Sequence, residues 1–397
     1  MNPELARRIA FTLGALLVYR LSLHIPIPGI SPAVWDMLRS RNAGLSGLAG
    51  GTRSVPVAII GLTPYISAAI IVQVIWMMFS RVRALAASGE AGRRRMLRLT
   101  LGLTMLLATI QAFGIASGLE GLVADRDGSS IFVAAVSILA GTCFVIWLSE
   151  LITRHGVGNG IALLLTVNIV AALPPNVAMT IELSRQGALS GNLLLCEALL
   201  SVLIVASMVF VESARRRIPL AFAPQTRPAA LSLKLNSAGL IPVVMAPWVF
   251  SVPIFFIGIF GLNGLALAAL GQFPHLNHTV LNAIVVFFLA LIYASFVLDP
   301  EQSANSLGKL GGAIPGIDPG EPTATCLDSA MSHTALFGAA YLAVQILLWD
   351  VWVAYGNGIH SFGGTAELIV VCTILDIRKQ VGDMSLAKGG SLRGNLK

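Results

Sequence analysis

Long apolar stretches separated by short polar connections dominate the pattern of this chain. A stretch of about 20 apolar residues is long enough to cross a bilayer as a helix. By this criterion the pattern predicts ten membrane-spanning helices, at 9–24, 56–79, 97–117, 131–151, 157–174, 192–212, 238–258, 279–298, 331–349 and 362–378. The stretch 259–278 is interrupted by Gly, Asn, Gln and Pro residues, so we interpret it as an external loop with a short surface helix.

The second apolar stretch, Val55 to Phe79, contains no charged residue but differs from a uniform lipid-facing helix. Gly61 and Pro64 are expected to loosen its backbone near the middle. The preceding segment, Gly44–Ser54, is glycine-rich and does not span. A loose segment before a broken helix indicates a gated path, although an ordinary lipid-facing helix also fits this stretch alone. The stretch has three polar side chains, Tyr65, Ser67 and Gln73.

The composition agrees with a polytopic membrane protein. Hydrophobic residues make up 56% of the chain, charged residues 11%, and the mean hydropathy is +0.82, whereas soluble domains carry about 25% charged residues. The first apolar run contains Arg20 and lacks a small-residue cleavage site, which favours a retained span over a signal peptide. Four cysteines have neither metal-ligand nor redox spacing (Cys143, Cys196, Cys326, Cys372).

The basic residues predict the orientation. The net charge is +7, and most Lys and Arg residues fall in alternate connections, including the connection after the sixth span. Because cytoplasmic loops are enriched in Lys and Arg, both termini are predicted to be cytoplasmic. Ten spans divide into two five-helix halves of opposite orientation, which is the inverted-repeat arrangement with a central path between the halves.

The predicted spans and connections give a provisional division of the chain. Its parts are an N-terminal half at 1–174, an external loop with the sixth span at 175–212, a cytoplasmic loop at 213–236, spans seven and eight at 237–298, a second cytoplasmic loop at 299–326, spans nine and ten at 327–380 and a cytoplasmic tail at 381–397.

Eight short motifs occur in the order found in one family. They are Ile25-Pro26-Ile27-Pro28-Gly29, Pro64-Tyr65-Ile66-Ser67-Ala68, Gly89-Glu90-Ala91-Gly92-Arg93-Arg94, Gly156-Val157-Gly158-Asn159-Gly160-Ile161, Arg216-Arg217-Ile218-Pro219, Leu235-Asn236-Ser237-Ala238-Gly239-Leu240-Ile241-Pro242, Ile314-Pro315-Gly316-Ile317-Asp318-Pro319-Gly320 and Phe362-Gly363-Gly364-Thr365. Over nearly its whole length the chain resembles the SecY/Sec61 alpha family, the channel-forming subunits of protein translocons. The resemblance implies an all-α membrane fold with ten spans around a central pore and a short re-entrant plug helix.

The resemblance also implies which residues form the channel. Six apolar side chains are expected to form a ring at mid-membrane: Ile66, Ile70, Ile161, Leu165, Val244 and Ile369. An aliphatic ring excludes water and ions by dewetting, yet it can fit around any extended polypeptide. The plug is expected within Gly44–Ser54, at Gly44, Leu45, Ser46, Gly47, Leu48, Ala49, Gly50 and Gly51. Its glycines suit an element that must be displaced.

The family docks its partners on the cytoplasmic loops and opens sideways between spans two/three and seven/eight. The matching docking residues are Arg215, Arg216, Arg217 and Asp318. Asn159 and Asn236 match polar positions near the gate, although a helix cap or an interhelical hydrogen bond explains each equally well. Expected partners are SecE-like and SecG-like small subunits, a SecA motor or a ribosome, the unfolded polypeptide and the bilayer. No cofactor is expected.

Three features depart from the family pattern and favour a divergent or accessory member. Asp318 stands where the family usually has Arg, in an acidic loop, which puts coupling to a standard SecA in doubt. The loop containing Pro224–Pro228 is shorter than usual. Glu367 lies inside an apolar span, where a carboxylate usually faces a watery cavity such as the external funnel, or carries function.

Two other classes remain as alternatives. A secondary transporter also uses inverted repeats, but it would need several ionisable residues deep in the membrane. An intramembrane enzyme would need a catalytic constellation, and the six histidines include no HExxH motif. The sequence also has no phosphate-binding loop of the G-x-x-x-x-G-K-[ST] type. A passive protein-conducting channel, without catalysis of its own, is therefore the leading prediction.

Overall fold

The computed structural model describes residues 3–28, 55–82, 89–119, 128–187, 190–222, 225–247, 249, 275–309, 311–318, 320–355 and 364–394. The helices are α1 Pro3–Ser22, α2 Thr63–Met78, α3 Glu90–Leu119, α4 Gly128–His155, α5 Gly160–Arg185, α6 Gly191–Ser213, α7 at 241–247, α8 His275–Val297, α9 Pro300–Lys309, α10 Glu321–Tyr355 and α11 Gly364–Gly394. The strands are β1 Arg215–Phe222, β2 Gln225–Lys234 and β3 Gly312–Ala313.

The chain forms two compact units. Unit 1 contains Met1–Ala178 and Thr373–Lys397, and unit 2 contains Met179–Cys372. The helices α5 and α11 therefore contribute residues to both units.

Six helical segments within the described residues are long and apolar enough to cross a membrane. They are Glu90–Ser117, Ile131–His155, Gly160–Arg185, Leu194–Ser213, Thr279–Lys309 and Glu321–Trp352. The helix α2 is apolar but shorter. Several helices extend beyond the predicted spans: α10 covers Glu321–Tyr355, whereas the predicted span was 331–349. Hydropathy marks the apolar part of a helix, and polar turns can continue it on either side.

The fifth predicted span ends too early at 174. The helix α5 continues through Pro174 and Pro175 to Arg185. A proline deprives the carbonyl four residues earlier of its N–H partner, here Val170 and Ala171, and usually ends or kinks a helix. Membrane helices tolerate such interruptions because neighbouring groups and small local adjustments satisfy the backbone. The eighth span begins at His275, within the stretch predicted to be a loop, and the rest of that stretch lies outside the described residues.

In unit 1 the segment before α2 is not helical. Ile27 N donates to Val55 O and Val57 N donates to Ile25 O, both at 2.9 Å, so this segment forms a short antiparallel bridge with the residues that follow α1. Gly61 has a φ of +54°, which favours glycine, and Pro64 lies in the first turn of α2. The predicted break is confirmed, but it precedes the helix instead of loosening its middle.

A close approach between α4 and α5 explains one glycine motif in unit 1. A Cβ atom added to Gly160 would lie 1.9 Å from the backbone oxygen of Ser149. The Gly160 N–H donates to the hydroxyl of Thr153 at 2.8 Å, and the N–H of Val157 donates to Thr12 Oγ1 on α1 at 3.0 Å. The chain therefore turns between α4 and α5 with almost no space between the two backbones.

Unit 2 contains a three-stranded sheet that the sequence did not indicate. The strand order is β2-β1-β3, with both neighbouring pairs antiparallel. Buried apolar side chains from β1, α9 and α10 form one core beneath the sheet, including Ile218, Leu220, Leu307 and Leu327. The regions predicted as cytoplasmic loops at 213–236 and 299–326 therefore pack on a shared core, and together they are called the sheet platform.

Candidate functional site

The four ring candidates of unit 1 lie on α2 and α5. Ile66 and Ile70 are one turn apart on α2, and Ile161 and Leu165 are one turn apart on α5. Ile66, Ile161 and Leu165 are partly buried and pack against the same core, which also contains Leu163 and other buried residues of α1 and α4. The structure therefore brings these three side chains to one cluster and leaves part of each exposed.

The two ring candidates of unit 2 lie on α7 and α11. Val244 is half-buried, whereas its neighbours Val243 and Met245 are buried at 2% and 5% exposure. Ile369 is also half-buried and follows the buried Leu368. Both positions thus present part of an aliphatic side chain away from the core. A ring made by all six residues stays a prediction, and the plug positions 44–51 lie outside the described residues.

The predicted docking residues lie on the sheet platform. Arg215, Arg216 and Arg217 are exposed on β1, and Arg215 is paired in register with Lys234 of β2. The exposed Asp318 lies in the connection between β3 and α10, where its backbone oxygen accepts from the Thr323 hydroxyl at 2.8 Å. The platform therefore presents a basic hairpin and, separately along the chain, an acidic connection.

Asn159 caps the start of α5. Its side-chain oxygen accepts from the N–H of Ile161 at 3.0 Å and lies 3.5 Å from the N–H of Ala162. The residue is exposed. This geometry supplies the helix-cap explanation for Asn159, and a gating role stays a prediction.

Asn236 is buried at 1% exposure and lies in the turn between β2 and α7 of unit 2. Its Nδ2 donates to Glu212 Oε1 at 2.7 Å, and its Oδ1 accepts from the N–H of Gly239 at 3.0 Å. Sequence reasoning identified Asn236 but missed Glu212, because no periodicity connects residues on either side of a hairpin. Asn236 therefore connects the end of α6 to the turn before α7, and its gating role stays a prediction.

Glu367 lies in the first turn of α11 and is buried at 1% exposure. Neither carboxylate oxygen has a hydrogen-bond partner among the described residues. The expectation that Glu367 faces an open watery funnel is therefore wrong. On a helix, positions two apart differ by about 200°, so Glu367 points away from the side on which Ile369 lies.

Comparisons with known proteins now identify the family. The sequence model of the SecY family matches residues 57–378. The chain belongs to the SecY family. It is 36% identical to the protein translocase subunit SecY of Escherichia coli K12 over 99% of this chain and 95% of that protein. SecY of Pseudomonas aeruginosa is 35% identical over 98% of this chain and 95% of its own length.

Solved structures show the same fold. A solved structure of a protein conducting channel superposes with a TM-score of 0.68 at 17% identity, over 96% of this chain and 93% of that chain. Canine Sec61 in a ribosome–channel complex gives a TM-score of 0.63 at 16% identity, over 96% and 93%. The prediction of an all-α membrane protein with the ten-helix SecY layout is confirmed.

Family membership also decides the function class. The relatives are translocase subunits by name, so the prediction of a protein translocation function is confirmed and this multi-pass membrane protein is not an enzyme. A solute transporter and an intramembrane enzyme are excluded on the same ground. Among the described residues, no group of His, Cys, Asp and Glu side chains could hold a metal ion.

Proposed function

We propose that this chain is the central subunit of a channel in the bacterial cytoplasmic membrane, with both termini in the cytoplasm. It moves unfolded preproteins across the membrane and releases transmembrane segments into the lipid. The observation that carries this proposal is the set of half-buried aliphatic side chains on α2 and α5, Ile66, Ile161 and Leu165, held against one core. We propose that they form a mid-membrane ring with the other predicted members, Ile70, Val244 and Ile369.

The chemistry of these side chains suits both the closed and the open state. In the closed state a narrow aliphatic ring excludes water and ions, because it offers no hydrogen bonds to replace hydration. In the open state it has no fixed polar pattern, so any extended polypeptide can pass without being retained. The plug predicted at 44–51 closes the same path from the external side.

The sheet platform is the proposed docking surface for the driving partner. Its exposed arginines on β1 suit an acidic protein surface or ribosomal RNA. Ribosome-bound channels, canine Sec61 and yeast Ssh1, are among the similar structures, which supports a ribosome as partner. The acidic Asp318 makes coupling to a standard SecA motor weaker. Small SecE-like and SecG-like subunits complete the proposed complex.

The proposal can be tested by cross-linking a stalled substrate. The four native cysteines are replaced, and a single cysteine is introduced at Ile66 or Ile161. A secretory protein with one cysteine in its stalled segment should form a disulfide with either position, because both are predicted to contact the passing chain.

The control is Leu17→Cys on α1, which is 59% exposed on an apolar helix face. This position should face lipid and stay unlinked. Equal cross-linking at Leu17 and Ile66, or cross-linking at neither Ile66 nor Ile161, would contradict the proposed path.

A further inference from the structure

A buried side-chain pair lies at the base of the docking hairpin. Glu212, one residue before the end of α6, is 9% exposed and accepts a hydrogen bond from Asn236 at 2.7 Å. The residues between them form β1 and β2, and the hairpin is closed by the N–H of Leu235 donating to Ala214 O at 3.1 Å. The Glu212–Asn236 pair therefore lies directly beyond the last backbone hydrogen bond of the hairpin.

Asn236 also holds the turn that leads to α7. Its amide group binds both the N–H and the carbonyl oxygen of Gly239, at 3.0 Å and 3.3 Å. Gly239 has a φ of +66°, a conformation that residues with a Cβ rarely adopt. One side chain thus connects the end of α6, the hairpin base and the start of the helix that carries Val244.

The helix α10 packs closely against the residues around Asn236. A Cβ atom added to Gly338 would lie 3.1 Å from Asn236 Cα and 3.2 Å from the backbone oxygen of Leu235. Tyr341, three residues further along α10, is also buried, at 9% exposure. The junction is therefore tightly packed, and a close-packed region transmits displacement instead of absorbing it.

We propose that Glu212 is a positioning residue that couples the docking hairpin to α7. When a partner binds Arg215–Arg217, the hydrogen bond from Asn236 to Glu212 makes the hairpin and α7 move together, so that docking displaces Val244. The side-chain oxygen at position 212 is suited to this role because Asn236 is buried, and a buried donor left without an acceptor is costly. The inference rests on the proposed function, since it assigns a regulatory role to a residue of the same channel.

The first test needs no partner. Spin labels at Ala230 on β2 and Ile241 on α7, both exposed, report the distance between hairpin and helix in a nanodisc. We expect Glu212→Ala to broaden the distance distribution and Glu212→Gln to preserve it, because the glutamine oxygen can still accept from Asn236. A distribution as narrow as that of the unsubstituted protein in Glu212→Ala would overturn the inference.

A matched control comes from the same helix. The hydroxyl of Ser207 on α6 accepts from Gln345 Nε2 on α10 at 2.6 Å. Ser207→Ala therefore removes another interhelical hydrogen bond of α6, but one away from the hairpin. It should leave the distance distribution unchanged. Equal broadening in Ser207→Ala and Glu212→Ala would show general loosening of the unit and would overturn the positioning role.

The second test separates binding from opening. Ribosomes carrying a stalled, signal-bearing nascent chain are titrated onto proteoliposomes, and their affinity and the maximal ion conductance are measured separately. Glu212→Ala should keep the affinity, because the arginines remain, while the maximal opening falls about tenfold, the scale of one buried hydrogen-bonding group left without its partner. Glu212→Gln and Ser207→Ala should open normally.

The conductance assay distinguishes failure of the Glu212 inference from failure of the proposed channel function. Normal opening in Glu212→Ala would overturn the inference and leave the proposed channel intact. If the unsubstituted channel fails to open with the ribosome complex, the proposed function fails and the inference fails with it.

Discussion

Gly160→Ala is predicted to destabilise unit 1 strongly, because the glycine lies where α4 and α5 almost touch. The added Cβ would meet the backbone oxygen of Ser149 at 1.9 Å, its carbonyl carbon at 2.7 Å and its Cα at 3.0 Å. All three are backbone atoms, so no side-chain rotation relieves the contact. The helix backbones must separate by roughly 1 Å, and overpacking of this kind costs about 1 to 3 kcal/mol.

Loss of a hydrogen bond should lower the free energy of unfolding further. Separation of α4 and α5 also strains the 2.8 Å hydrogen bond from Gly160 N to Thr153 Oγ1, which contributes about 1 kcal/mol. We therefore expect a decrease of about 3 kcal/mol in the free energy of unfolding. Denaturant unfolding of the purified protein in detergent, followed by circular dichroism, measures this quantity.

Gly102→Ala provides the matched control. Gly102 lies within α3, and an added Cβ would meet nothing within 4 Å. Alanine favours a helix by about 0.8 to 1.0 kcal/mol over glycine, so this variant should be equally or more stable. If Gly160→Ala unfolds at the same denaturant concentration as Gly102→Ala, the close approach of α4 and α5 is not as described.

Two further predictions concern charge. Glu367→Leu should raise the free energy of unfolding by about 1 to 3 kcal/mol, because an apolar side chain replaces a buried carboxyl group that has no hydrogen-bond partner among the described residues. The same unfolding assay measures the change, with Asp328→Leu at an exposed position as the control, and a loss of stability in Glu367→Leu would contradict the burial of Glu367. Reversing the three arginines Arg215–Arg217 to Glu should weaken ribosome binding and flatten its dependence on salt, measured by titration at several ionic strengths. An unchanged affinity would exclude β1 as the docking strand.

The membrane-spanning part of this fold was readable from hydropathy. Apolar runs located the helices, and Gly61 with Pro64 predicted an irregular backbone in the second apolar stretch, although it lies before α2 and not in the middle of a helix. The first and last residues of the helices were less predictable, because α10 and α11 continue into polar turns that hydropathy does not mark. The predicted span ended at 174, whereas α5 continues through Pro174 and Pro175 to Arg185.

The platform was not predictable from local pattern. The strand β1 begins with three arginines, and β2 contains Pro228, so neither shows the alternation typical of a strand. Their pairing depends on tertiary packing over Ile218 and Leu220. The same holds for Glu212, whose partner Asn236 is 24 residues away along the chain.

The candidate channel residues were predicted from family motifs, and the structure shows which residues they pack against and bind. Three of them, Ile66, Ile161 and Leu165, border one core, while Asn159 caps α5 and Asn236 bonds to Glu212. Burial of Glu367 likewise depends on packing around α11, which hydropathy does not report.

The seal formed by the aliphatic ring is tested most directly by resting ion conductance. Ile66, Ile70 and Ile161 are replaced together by serine, residues 44–51 are deleted, and the channel is reconstituted in a planar bilayer without partner or substrate. The control carries the same deletion with Leu17→Ser, on the exposed face of α1. We predict a clear rise in conductance for the triple serine variant over this control. Conductance equal to the control would contradict the aliphatic seal.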